Sequence, residues 1–560
     1  MKKTHIENKK DTPNIYDTID GFDDIANKDN RQTFDKKWQW DELWAVEKRY
    51  HQAYQQRQEW FSWWRECYQY ALPQYDMVGD FAPQQNAVYD STAVLAVEQL
   101  ASNLVQDLLP HQKRWFDFVT LNDDGGIKKS LAQLADNMAQ ELQNSNFYLE
   151  VHQAMLDLVV AGTAVLAVEK NDRGGVGFRA IPMTSIILED DGDHHGNQQA
   201  AVFKQSRLSI DKIKTIWDNN GYDKKLTEKY IKQLAIDADD MIAVVEALLP
   251  NEDGAVDYIL FVPSDSLAKD VGGGQTIAPM LINHGRFRQM PLLVFRFTKA
   301  PGEIYGRSPV MRALPDIITA NQVVELILKN ASLNVSGIWL VDDDGVINVN
   351  NLKLEPGAII QKAVGSPGLT PLRTAGLDLS QVVLGELRDN IKKALLSDNI
   401  LAVDRMASFS KKTATEVREI SESQTRMLVA SYRRLEHELL YPLIHRLLGI
   451  MVDEGRAPLW ISERQKIKLV ISSPLERRQE MREAENMLSL LQTANAVGLD
   501  LTPYIDRAEL VKKLFHYFQL TLPSYHSNDK TDEDVVHKKP ANNIQHQDSD
   551  AISPNPALYI

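Results

Sequence analysis

Apolar residues recur at helical spacing through the first and last thirds of the chain, with spacing nearer to two between them. Lys37 to Tyr70 mixes aromatics with Glu, Gln and Arg and predicts one long helix ended by Pro73. Ser91–Leu109, Ile127–Asn144 and Tyr148–Val160 predict three more, and Gly162 breaks the pattern. From there to Phe297 the texture is β-rich: Thr163–Glu169, Val176–Ile181, Ser185–Leu188, Ala200–Gln205, Ile242–Leu248, Asp257–Val262 and Leu292–Phe297. Short helices are expected at Ser209–Trp217 and Leu226–Leu234.

Ser308 before Pro309 reads as an N-cap followed by proline at the first helical position, and Pro315 restarts or bends that helix one turn on. Asp316–Val335 and, behind an Asp378 cap, Leu379–Leu396 form two rods around a compact insert, Gly337–Gly376. In it Ile338–Val341 is strand-like and Asp342–Gly345 a turn. Thr413-x-x-Glu416 is a capping box opening a long helix that bends at Pro442 and ends near Gly455. A strand at Lys466–Ser472 and helices at Leu475–Ala496 and Asp506–Leu520 complete an α+β chain. Residues 1–36 and 523–560 are polar and expected to be disordered.

Bulk numbers narrow the function classes. A chain of 560 residues exceeds one ordinary core, and 43% hydrophobic with 25% charged residues is a soluble globular composition. The net charge of −15 argues against a sequence-specific nucleic-acid binder, though not against a channel through which DNA slides. The single cysteine, Cys67, forms no intrachain disulfide. No apolar run follows Met1, so no signal peptide is expected, and Leu158–Val168 is too short to span a bilayer.

Several fragments imitate chemistry. The turn Asp342–Gly345 lacks the alternating ligands of a calcium loop. Asp190–His195 holds metal-ligand residue types but reads as a solvated turn, and Gly272–Gly274 lacks phosphate-loop spacing. Gly302–Ser308 is one residue short of a Walker loop and has Arg307 where lysine belongs. No catalytic residue, cofactor site or metal site is expected. The tryptophans at 38, 40, 44, 60, 63 and 64 fit core or subunit-interface packing better than stacking on nucleic-acid bases.

In their order and spacing, three stretches resemble the portal, or head-to-tail connector, proteins of short-tailed, podovirus-type bacteriophages. They are Gly302-Glu303-Ile304-Tyr305-Gly306-Arg307-Ser308-Pro309 with Ala313–Ile317 after it, Thr413-Ala414-Thr415-Glu416-Val417, and upstream Tyr89–Ala93 with Arg114-Trp115-Phe116. The likeness runs from about Trp38 to about Leu520. It implies a dodecameric ring around a double-stranded DNA channel at one capsid vertex. The implied parts are a wing (37–308 and 413–474), stem helices (309–336 and 377–398), a β-containing clip (337–376), a channel loop (399–412) and a helical crown (475–522). Implied partners are further copies of the chain, the terminase large subunit, tail adaptors, scaffold and major capsid proteins, with internal core proteins as a further option and no membrane. The resemblance makes Arg405, Lys411, Lys412, Lys392 and Lys393 candidates for facing DNA. It makes Tyr305, Gly306, Arg307, Ser308, Pro309, Thr413, Thr415 and Glu416 structural motif positions. The alternatives are an adaptor ring without a DNA channel and a nucleotide- or metal-dependent enzyme.

Overall fold

The computed structural model describes residues 40–73, 88–111, 114–120, 125–171, 174–189, 201–219, 241–267, 279–336, 339–340, 370–371, 378–396, 428–457 and 467–471. A few positions between 484 and 511 are described besides. The chain divides into two units at Arg477, and nearly all described residues belong to the first.

Helix α1 (Trp40–Ala71) is as long as its pattern predicts and touches two cores. Its first half lays Leu43, Val46, Tyr50 and Ala53 on a sheet face bearing Phe203, Ile259 and Phe261. Its second half sends Trp64, Cys67 and Tyr68 into the main core. That core is built by α2 (Thr92–Leu108), α3 (Gly125–Asn144), α4 (Phe147–Ala161) and the strands around them. Burial pushes the Cys67 thiol up to about 12, which leaves it a packing group and not a nucleophile.

Two antiparallel sheets form the β-rich middle. β2 (Thr163–Lys170) lies between β3 (Val176–Ile181) and β9 (Leu292–Arg296), pairing Val165 with Ile181 on one side and Val294 on the other. Its first six residues are all buried, because α4 and a later helix, α8 (Tyr441–Asp453), both pack on it. The second sheet runs β4 (Ile186–Leu188), β5 (Val202–Ser209), β6 (Met241–Pro250), β7 (Val256–Val262) and β8 (Met280–Phe287) in sequence order, with α5 (Ile210–Asn219) following β5 in the chain. The free edge of β3 is closed by side chains. Val176 N–H donates to Glu141, Phe178 exchanges two bonds with Asn146, and Ala180 N–H donates to Glu150. Paired this way, that edge offers few groups to a foreign strand.

Helix α6 (Pro309–Ser336) runs unbroken through Pro315, whose missing N–H withdraws one donor from the Met311 carbonyl. β10 (Trp339–Leu340) pairs with β11 (Thr370–Pro371), and α7 (Asp378–Ala394) then packs back on α6. Near Pro442 the structure places a π-helical stretch, Glu436–Leu440, just before α8. Such a turn accommodates a proline ring inside a helix.

Three strands escaped the pattern. β8 and the two-residue β11 were not anticipated, and neither was β1 (Phe116–Thr120), which pairs with β12 (Ile467–Ile471) about 350 residues away. The expected helix at Leu226–Leu234, the turns at Asp190–His195, Gly272–Gly274 and Asp342–Gly345, and both polar ends lie outside the described residues. So do most of the helices expected after Leu475.

Candidate functional site

The Gly302–Pro309 motif is a junction where α1, α4, β2, β9 and α6 meet. Tyr305 is fully buried, its hydroxyl accepting the Leu188 N–H at 3.0 Å and its ring set edge-on to Trp64 at 5.0 Å. Burial pushes its phenol up to about 12, so it stays neutral. Trp64 in turn donates its indole N–H to the Ala161 carbonyl, tying α1 to the end of α4.

Gly162 closes α4 in the left-handed conformation, φ 80°, and lies backbone to backbone against Gly306. Gly306 N–H donates to Thr163 Oγ1 at 2.8 Å, Arg307 N–H to the Thr298 carbonyl at 2.7 Å, and Thr298 Oγ1 to the Arg307 carbonyl. These internal bonds consume the amides that a phosphate would need. Ser308 Oγ accepts Met311 N–H at 2.8 Å, so the N-cap with proline behind it forms as its residues predict. Arg307 pairs with Glu303 on the surface.

The π-helical turn locks onto the same junction. Glu438 accepts both the backbone N–H and the Nε–H of Arg296, at 2.8 and 3.2 Å, and pairs with Arg434. Arg296 also donates to the Ile304 carbonyl. A cavity of about 70 Å3 beside the ion pair is walled by Leu292, Ile304, Pro442 and other apolar groups. Among the described residues the charges that line it, Arg296 and Glu438, are paired with each other.

The upstream motif Tyr89–Ala93 clasps the α6–α7 pair. Asn321 Oδ1 on α6 accepts the N–H groups of Tyr89 and Asp90, at 2.6 and 3.2 Å. Asp90 accepts Thr92 N–H at 2.8 Å and Arg388 Nε–H from α7 at 2.8 Å. Burial alone would raise the Asp90 carboxyl; hydrogen bonds from Thr92 and Arg388 outweigh it and hold the group below the ordinary range. Stability carried by a depressed carboxyl is present above its unfolded pKa and lost as pH falls through the folded one. Asp90→Asn is therefore expected to destabilise the protein by about 2 kcal/mol near neutral pH. It should also remove an acid-labile component below about pH 4. Thermal melts of both proteins across pH 3–7 check this; parallel curves would show that Asp90 carries no such linkage.

Arg114, in the third upstream stretch, joins Asp117 and Asp136, pinning β1 to α3, while Trp115 and Phe116 are buried. Of the candidate DNA-facing residues, Lys392 and Lys393 stand in the last turn of α7, where cations favour the helix dipole. Lys393 is exposed and Lys392 half-buried. Arg405, Lys411, Lys412, Thr413, Thr415 and Glu416 lie outside the described residues. Of the tryptophans, Trp64 is core, Trp60 half-buried, and Trp44 and Trp63 exposed. Sequence reasoning read Gly162 only as a helix stop and gave no role to Thr163, Asn321, Arg388 and Glu438, polar or small residues whose importance lies in distant partners. Among the described residues no group of three or more His, Cys, Asp or Glu could hold a metal ion, and no helix is long and apolar enough to cross a membrane.

Residues 44–521 match the family of bacteriophage head to tail connecting proteins, and the chain belongs to that family. It is 23% identical over 449 residues to a probable portal protein of Bordetella phage BPP-1, covering 75% of this chain and 76% of that one. It is 21% identical to the portal protein of Enterobacteria phage T3 (80% of this chain, 84% of that one) and 21% identical to that of Escherichia phage T7 (78% and 83%). The matched span contains the junction, the Asp90 clasp and the Arg114 stretch.

Proposed function

We propose that this phage portal protein, a virion component, assembles as a dodecameric ring at one capsid vertex, where double-stranded DNA enters during packaging and leaves at ejection. The carrying observation is the family match across residues 44–521, within which the two described motifs Gly302–Pro309 and Tyr89–Ala93 serve as joints. In this reading the α/β body (37–308 and 413–474) is the wing. The α6–α7 pair (309–336 and 377–398) is the stem, 337–376 the clip, 399–412 the channel loop and 475–522 the crown. The subunit is structural. Packaging energy would come from a terminase large subunit docked on the clip, and tail adaptors, scaffold and major capsid proteins would meet other surfaces.

The test is the purified protein at micromolar concentration in moderate salt. Sedimentation and negative-stain imaging are expected to give closed rings of fixed subunit number. Monomer alone would overturn the ring, and a solid particle without a central opening would favour an adaptor without a channel.

A further inference from the structure

The outer face of α1 carries a row that reads the same from either end. Trp44, Lys48, Gln52, Gln55, Glu59 and Trp63 follow one another at steps of 4, 4, 3, 4 and 4 residues, and every one is exposed. At 3.6 residues per turn they share one sector about 100° wide and run about 28 Å along the helix. In either direction the row is tryptophan, charge, glutamine, glutamine, charge, tryptophan, with the sign of the charge reversed between its halves. Trp63 is 52% and Trp44 37% exposed. One exposed tryptophan would be unremarked, but two at mirrored ends of a polar row mark an interface, where tryptophan is enriched.

The order says what the partner is. A second copy laid antiparallel on this face would bring each Lys48 to the other copy's Glu59 and each Gln52 to the other copy's Gln55. A parallel copy would oppose lysine to lysine and glutamate to glutamate. The ends match by size too. Ala45 and Ser62, both exposed, stand beside Trp44 and Trp63, so each ring would lie over a small residue of the other copy. Beyond them Asp41 and Glu66 are both acidic, and the match stops at the tryptophans. The face is also held in place. Arg49 pairs with Glu189 in the first half of α1, and Trp64 bonds the Ala161 carbonyl in the second.

We propose that two copies of the chain pair antiparallel through the outer face of α1, about a two-fold axis between Gln52 and Gln55. The contact is isologous, so it joins two chains or two rings and does not itself propagate a ring. It stands apart from the neighbour contacts that the ring reading requires. One helix pair is a small interface, so the pairing is reversible and depends on concentration.

The test uses full-length cysteine variants at high protein concentration with a short bismaleimide. Cys67 is buried and contributes no background. In this pairing Gln52→Cys lies about 5 Å along the helix from its own copy and is expected to give a covalent dimer. Ser62→Cys lies about 26 Å from its own copy and is expected to give none alone, but to cross-link with co-expressed Ala45→Cys. Adding Lys48→Glu to Gln52→Cys is expected to cut the dimer about fivefold, and adding Glu59→Lys as well to restore it. Self-cross-linking of both Gln52→Cys and Ser62→Cys would overturn the antiparallel register. No dimer from Gln52→Cys would overturn the pairing, and rings seen by negative stain in that case would leave the ring reading standing. The dimer without any rings in the parent chain would overturn the ring reading and leave the pairing.

Discussion

Gly306→Ala is expected to abolish the folded subunit, at a cost on the order of 4 kcal/mol or more, a large share of the stability of any domain. A Cβ at 306 would run into the Gly162 carbonyl and the Arg296 side chain. Neither backbone can retreat. The Gly162 carbonyl is held by Phe297 N–H at 2.9 Å, and Gly306 N–H is held by Thr163. Gly162→Ala meets the reciprocal clash with the Gly306 carbonyl and Ser308 N, and adds the left-handed strain of φ 80°. Gly302 separates the two effects. It has the same φ but open space around it, so Gly302→Ala should cost only about 1–2 kcal/mol. Soluble yield and thermal melts of the three variants check the order. A Gly306→Ala protein that melts within a few degrees of the parent would mean the junction is looser than its contacts indicate.

The same junction shows what a sequence reveals and what it conceals. Local chemistry was legible: Ser308 and Pro309 announce a helix start because the cap and the proline act within one turn. Helix α1 was legible from periodicity, and so were most strands of the middle sheets. What was hidden depends on distance along the chain. Gly162 reads as a helix stop, and nothing in its neighbourhood says that Gly306 must lie against it. Asp90 reads only as the residue before a helix start, while its partner Arg388 comes 298 residues later. β1 is short, with Val119 facing solvent, and becomes a strand only because Ile467–Ile471 returns to pair with it. The family resemblance located the motif residues without saying what they touch. Their contacts give the reason: Tyr305 fills the space between α1 and β4, and Glu438 ties the π-helical turn to β9.

Replacing Arg405, Lys411 and Lys412 together by alanine is expected to leave ring assembly intact and cut DNA packaging or retention by about tenfold or more. On the proposed reading, residues 399–412 face the channel, and Asp404 is the only acid among them. Twelvefold symmetry would gather the three cations of each subunit into a basic collar inside a particle whose chains each carry a net charge of −15. Lysine and arginine meet phosphates without reading bases, so the collar would hold DNA weakly, let it slide, and loosen as salt rises. Charge is removed without touching Thr413 or Glu416, so the capping box expected there keeps both its partners. Lys392→Ala with Lys393→Ala is the companion variant. It withdraws positive charge from the end of α7 at a cost of about 0.3–1 kcal/mol each, and tests whether any loss of cations near the channel suffices. Packaged DNA per particle, measured at two salt concentrations, is the readout. Normal packaging by intact triple-variant rings would remove the collar from the mechanism. Failure of those rings to assemble would make the three residues structural.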